Sequence, residues 1–204
     1  MFIPFLFYYH CFRLEPKNPI RLDKYPSALY VGSVFVSAFI MITVLCVAPR
    51  SNYHFIPNLD LYTEKRNAYT YCGRGPVITH APCQQWSRLK HFAKGSQLEK
   101  DLAVFCFEKV QQNGGIFEHP AGSSFFKYVG ADYKKIISVN QSWWNFPATK
   151  RTYLYFNKIT PLSHPLSFDC SSRSVVSLTP SARSRMPLAF CQWLVGCISV
   201  SSDL

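Results

Sequence analysis

The sequence predicts an α/β protein built on a mostly parallel sheet, and three observations lead there. Short apolar runs rich in β-branched residues recur at residues 41–48, 76–80 and 115–118, which is how strands buried on both faces read. The best helical pattern, residues 96–112, stands between the second and the third. Turn signals separate these pieces, so strand, helix and strand alternate as in parallel sheets. At 204 residues, 48% hydrophobic and 16% charged, the chain suffices for one domain with a core and is not a disordered polymer.

Taken in order, "MITVLCVAP" (41–49) reads as a buried strand, followed by the turn-rich "PRSNYHFIPN" and a short strand "LDLY" carrying Asp60. "TEKRNAYTY" reads as one or two helical turns capped by Thr63, and "CGRG" as a turn. "PVITH" is the next strand, and it runs into the loop "APCQQWS". In the helix, Ser96 and Glu99 form a capping box, and Leu98, Leu102, Phe105 and Val110 recur near helical spacing. "NGG" ends it, "GIFEHP" is a strand stopped by Pro120, and a short helix or loop follows to residue 130. "KKIISVNQSWW" and "RTYLYFN" read as two strands joined by "NFPATK". Residues 157–181 are loop, and "PLAFCQWLVGCISV" closes the chain as a buried helix with Pro187 in its first turn.

Residues 27–48 carry no charge and are long enough to span a bilayer, with Arg13, Lys17, Arg21 and Lys24 before them. Read whole, the run is a membrane segment that anchors the chain. Read in two, residues 1–40 are a hydrophobic extension and the domain occupies 41–204. Periodicity does not decide between the two readings, a membrane-anchored protein and a cytoplasmic one.

Formal net charge is +11, and from Tyr133 onward eight basic residues face only Asp169 and Asp203. With Trp143 and Trp144 nearby, that half suits a polyanion such as nucleic acid, or is a solvated basic surface. None of the eight cysteines forms a C-x-x-C pair, and Cys46, Cys106 and Cys191 sit in apolar runs. That pattern implies reduced thiols and no metal site. It also excludes a zinc deaminase, since Trp86 stands where the second cysteine of Pro-Cys-x-x-Cys belongs.

Ligands of open α/β sheets sit beyond the carboxyl ends of strands. Cys83 lies just past one strand end and Glu118 at the next, one αβ unit apart, so both would face one crevice as a nucleophile–acid pair. The alternatives are a buried thiol in a turn and a salt-bridged acid. Asp60 suits either a ribose or the capping of the next segment, and His80 and His119 read as lining or structural residues.

"PCQQWS" (82–87) resembles the Pro-Cys-Gln-x-Phe/Trp-Ser loop of DNA (cytosine-5) methyltransferases, and "IFEHP" (116–120) resembles their Glu-Asn strand end. "NFPATKRTYLYF" (145–156) is more loosely similar to their Pro-Gln-x-Arg-x-Arg segment and the strand after it. Short phage- and prophage-type relatives of that family are more similar still, through "NLDLYTEKRNAYTY", "PVITHAPCQQWS", "GGIFEHP" and "MPLAFCQWLV". The likeness spans about residues 41–195 and leaves 1–40 unmatched, which favours reading the uncharged run in two and a cytoplasmic protein. It implies a Rossmann-like, three-layer methyltransferase-type domain acting on DNA. Cys83 would attack C6 of a flipped cytosine, with Arg88 among the basic neighbours that favour its thiolate, and Glu118 would bond N3. Lys150 and Arg151 would border the base, Asp60 and Pro82 would lie at the cofactor, and S-adenosylmethionine would supply the methyl group.

The departures from the family pattern are definite. "VAPRSNYHF" holds no Gly-rich loop, His119 replaces Asn, and Ala148 and Thr152 replace the Gln and the second Arg. The segment 157–185 is too short for a separate target-recognition domain. Three readings follow: a compact cytosine-5 methyltransferase, a nucleic-acid-binding relative without methyl transfer, and a protein anchored through 27–48.

Overall fold

The computed structural model describes residues 41–87, 90–92, 95–165 and 173–201. The extension 1–40 lies outside them, and so do residues 27–40 of the uncharged run and Arg88. The described end of that run is a strand, β1 (Ile42–Val47), with a neighbour on each side. No helix among the described residues is long and apolar enough to cross a membrane.

Five more strands complete one sheet: β2 (Leu59–Thr63), β3 (Val77–Thr79), β4 (Gly115–Pro120), β5 (Ile136–Asn140) and β6 (Arg151–Asn157). Their order is β2-β1-β3-β4-β6-β5. The pairs β1–β2, β1–β3 and β3–β4 are parallel, and β6 alone runs against its neighbours β4 and β5. The chain goes from β1 out to β2 on one side and then to β3 on the other, so the order reverses beside β1. In open α/β sheets, that is where a crevice forms at the carboxyl ends.

Helix α1 (Gln97–Asn113) is anchored by Ser96, whose Oγ accepts the Glu99 N–H at 3.4 Å. The reciprocal half of the capping box is missing: the Glu99 carboxylate turns toward Gly95 instead. Gly114 ends the helix at φ 88°. Gly115 opens β4 at φ 127°, where a Cβ would come 2.0 Å from the Val77 carbonyl oxygen, so only glycine lets β4 approach β3. Three further helices are α2 (Phe125–Tyr128), α3 (Pro180–Ser184) and α4 (Leu188–Ser201).

The pleat sends neighbouring residues of the central strands to opposite faces. Leu45, Val77, Phe117 and Tyr155 pack toward α1 with Cys106, Phe107, Val110 and Phe125. Val44, Ile78, Ile116 and Leu154 pack toward α4 with Phe190, Leu194 and Ile198. The continuous apolar runs thus belong to a sheet covered on both sides.

Three local expectations change. Thr63 ends β2, and the helical turn after it is a 3₁₀ turn at Ala68–Thr70 capped by Asn67. The stretch 134–144 is not one strand: β5 stops at Asn140, whose side chain caps a 3₁₀ turn, Gln141–Trp144. The segment 157–181 holds a 3₁₀ turn at Val175–Ser177 and the start of α3. In each case a short polar side chain bonded its own backbone more favourably than the periodicity suggested.

Candidate functional site

Register determines what meets at the carboxyl end. Thr79 pairs with Phe117, so the next residues, His80 and Glu118, stand side by side. Both share the parity of Ile78 and Ile116 and face the α4 side. His80 Nδ1 donates to Glu118 Oε2 at 3.1 Å, and its Nε2 lies 2.9 Å from the Tyr53 hydroxyl. Tyr53 is fully buried and comes from a 3₁₀ turn, Asn52–Phe55, that Ser51 caps just after β1. Burial, then the charges of Cys191 and Glu118, push its pKa up, so the phenol stays protonated beside Nε2.

Cys83 and Lys150 lie near enough to this chain to interact electrostatically with Glu118. Cys83 is half-buried, and its carbonyl accepts the N–H groups of Trp86 and Ser87 at 3.1 and 3.0 Å, which closes the loop into a turn. Lys150 arrives because β6 is reversed. Pro120 pairs with Thr152, so the residues that lead into β6 lie beside the end of β4. Its Nζ donates to the Arg185 carbonyl at 2.8 Å, and its N–H is held by Asn140 at 3.0 Å. Cys191, from α4, lies against the Tyr53 hydroxyl.

The charges are interdependent. Burial pushes Glu118 up, but the His80 hydrogen bond and the charges of His80 and Lys150 outweigh it and hold the carboxyl below its usual range. Burial also lowers the Lys150 ammonium, against the pull of Glu118 and Cys83. The Cys83 thiol is pushed up to about 11 by burial and by the Glu118 charge, with Lys150 opposing. A thiol there is protonated at neutral pH, and nucleophilic attack requires the thiolate.

The structure therefore brings together Cys83, Glu118 and Lys150, with Pro82 in the same loop, and adds His80, Tyr53 and Cys191. It does not bring in Asp60. That residue is the second of β2, roughly 10 Å of strand short of the carboxyl end. Both of its oxygens are taken by Arg66, which also donates to the Tyr62 hydroxyl at 2.8 Å and stacks 3.9 Å above that ring. Arg151 is exposed, and among the described residues its side chain makes no hydrogen bond or ion pair. His119 is fully buried on the opposite face of the sheet, stacked on Phe117 and bonded to Ser123 at 2.7 Å. Tyr53 carried a signal that could have been read: an aromatic in the turn-rich segment after the first strand, a segment that holds no glycine.

The basic half of the sequence divides between the two ends of the sheet. Lys134 and Lys135 precede β5 and Lys158 follows β6, so antiparallel pairing puts all three at the end remote from Cys83. There they line an open groove of ≈ 370 Å³ with Ile137, Phe156 and Ile159. Trp86 and Trp144 are core residues, packed on Phe125 and Phe190 respectively. Among the described residues, no three His, Cys, Asp or Glu side chains are grouped to hold a metal ion. No protein-family model matches the chain, and neither does any curated protein sequence.

Proposed function

We propose that the chain is a DNA-binding protein of the cytosine-5 methyltransferase type, with a Rossmann-like three-layer domain that receives an extruded cytosine at Cys83 without methylating it. The observation that carries this reading is the convergence of Cys83, Glu118 and Lys150 from three separate elements at the carboxyl end of the sheet. The strand order, reversing beside β1, supports the fold. The base would lie with C6 toward the Cys83 sulfur and N4–H₂ toward the Glu118 carboxylate, and Lys150 and Arg151 would take the flanking phosphates. The free thiols of the described cysteines suit a cytoplasmic protein in a reducing environment.

The residues present do not fit S-adenosylmethionine. The loop after β1 lacks glycine, Tyr53 fills the space behind it, and Asp60 is held by Arg66. A second reading, an active methyltransferase, is favoured by Cys83 and Glu118 standing on adjacent strands.

A tritiated-methyl transfer assay on cytosine-containing DNA, run beside fluorescence anisotropy of duplexes bearing one unpaired cytosine, separates the two. The binding reading expects no transfer, equal binding by wild type and Cys83→Ser, and a salt slope reduced by about one for Lys150→Ala. Transfer by wild type that Cys83→Ser abolishes establishes the enzyme instead. A chain that binds no DNA defeats both.

A further inference from the structure

We infer that Cys46 and Cys106 form a redox-sensitive thiol pair that acts on the His80–Glu118 site through the backbone of β1. The two sulfurs lie 3.5 Å apart, Cys46 near the carboxyl end of β1 and Cys106 in the middle of α1, sixty residues further along the chain. A disulfide requires them to close by about 1.5 Å. Cys46 is half-buried, so a small oxidant reaches it, and Cys106 is buried behind it.

The backbone gives the second observation. Cys46 has φ 60°, in the left-handed region that a residue with a Cβ enters at a cost of roughly 1–2 kcal/mol. It occupies a bulge where the pairing with β2 slips between Leu45 and Val47. Regular strand geometry would have sent residue 46 to the same face as Val44, toward α4. The bulge instead turns its sulfur toward α1. Strained backbone of this kind marks positions held by a second requirement. The effect on the site follows from the next residue back: the Leu45 carbonyl accepts the His80 N–H at 3.2 Å. Movement of Cys46 toward Cys106 is thereby transmitted to the residue that bonds Glu118.

The chemistry balances with a low-molecular-weight disulfide as oxidant. The Cys46 thiolate attacks one sulfur of the reagent and releases one thiol. The Cys106 sulfur then displaces the second thiol from the mixed disulfide and gives up its proton to solvent. Two protein thiols are oxidised and one disulfide is reduced to two thiols.

The test uses the reduced full chain, titrated with oxidised glutathione and analysed by non-reducing peptide mapping. The Cys46–Cys106 peptide pair is expected as the dominant cross-link, in at least ten-fold excess over any pair containing the exposed Cys72. Cys106→Ser should trap the glutathione adduct on Cys46. Cys46→Gly, which relieves the left-handed backbone, should remove the cross-link and raise the melting temperature of the reduced protein. Anisotropy with the unpaired-cytosine duplex, before and after oxidation, reads the coupling to the site. A changed affinity in wild type but not in Cys46→Gly is expected. A dominant cross-link elsewhere, or glutathione on Cys72 with none on Cys46, overturns the pair. A cross-link that leaves DNA affinity unchanged overturns the coupling, and failure of both reduced proteins to bind DNA refutes the binding reading instead.

Discussion

The two halves of the carboxyl end are built differently. Beyond β3 and β4, polar and nucleophilic side chains converge: His80 on Glu118, with Cys83 and Lys150 beside them. Beyond β1 the space is filled by Tyr53, from the 3₁₀ turn that follows the strand, and on β2 Asp60 is paired with Arg66 short of the carboxyl end. Yet the two halves are one hydrogen-bonded unit, since Tyr53 supports the ring that supports Glu118. The residue that occupies the first half thus also orders the second. One side chain can fill one half of the carboxyl end and hold the other half in place.

The strongest way to break this comparison is Tyr53→Ala. Removing a fully buried aromatic ring leaves a cavity and an unpartnered His80 Nε2, and should cost about 3–5 kcal/mol. Urea unfolding, followed by the shift in midpoint at constant slope, measures it. Calorimetry on the same variant asks whether the vacated space admits S-adenosylmethionine. No binding is expected, because Asp60 stays paired with Arg66. Binding gained by this one change would mean that Tyr53 alone closes the first half.

Next in size is a pH effect from the far face of β4. Burial lowers the His119 pKa from 6.5 to about 4, so the folded chain keeps this imidazole neutral where the unfolded chain protonates it. The unfolded state binds more protons in that window, and stability is lost as pH falls from about 6.5 toward 4. The loss approaches about 3 kcal/mol at the lower limit. Glu118 adds to it only below about pH 4.5, where its depressed carboxyl begins to lose stability on protonation. His119→Asn should flatten the curve between pH 6.5 and 4 and leave the more acidic part. Thermal melts across that range in both proteins would show it, and parallel curves would put the titration elsewhere.

Much of this was legible in the sequence, for physical reasons. Buried parallel strands must be apolar on both faces, so 41–48, 76–80 and 115–118 stood out. The single αβ unit between Cys83 and Glu118 favoured neighbouring strands, and β3 and β4 are neighbours. What was hidden depends on register and direction. Lys134, Lys135 and Lys158 follow each other closely in sequence with Lys150 and Arg151, and only the reversal of β6 sends them to the other end. The role of His80 rests on sharing a face with Glu118, which one sequence does not reveal until the strand pairing is known. The bulge at Cys46 leaves no compositional mark, because its backbone conformation is one that composition would assign to glycine or asparagine.

The smallest expected effect belongs to Asp60→Asn, and it sharpens the comparison by its smallness. The Asp60–Arg66 pair is partly solvated, with Arg66 half-exposed, and such pairs are screened by water and salt. Arg66 also keeps its place without the carboxylate, stacked on Tyr62 and bonded to that hydroxyl. The variant should melt within error of wild type, at low salt and high, and bind DNA equally well, since Asp60 lies away from Cys83. A large loss of stability would show that Asp60 anchors β2 rather than merely engaging Arg66. S-adenosylmethionine binding by wild type that Asp60→Asn abolishes would make this carboxylate a cofactor ligand despite its pairing. The two halves of the carboxyl end would then be the two halves of a working methyltransferase.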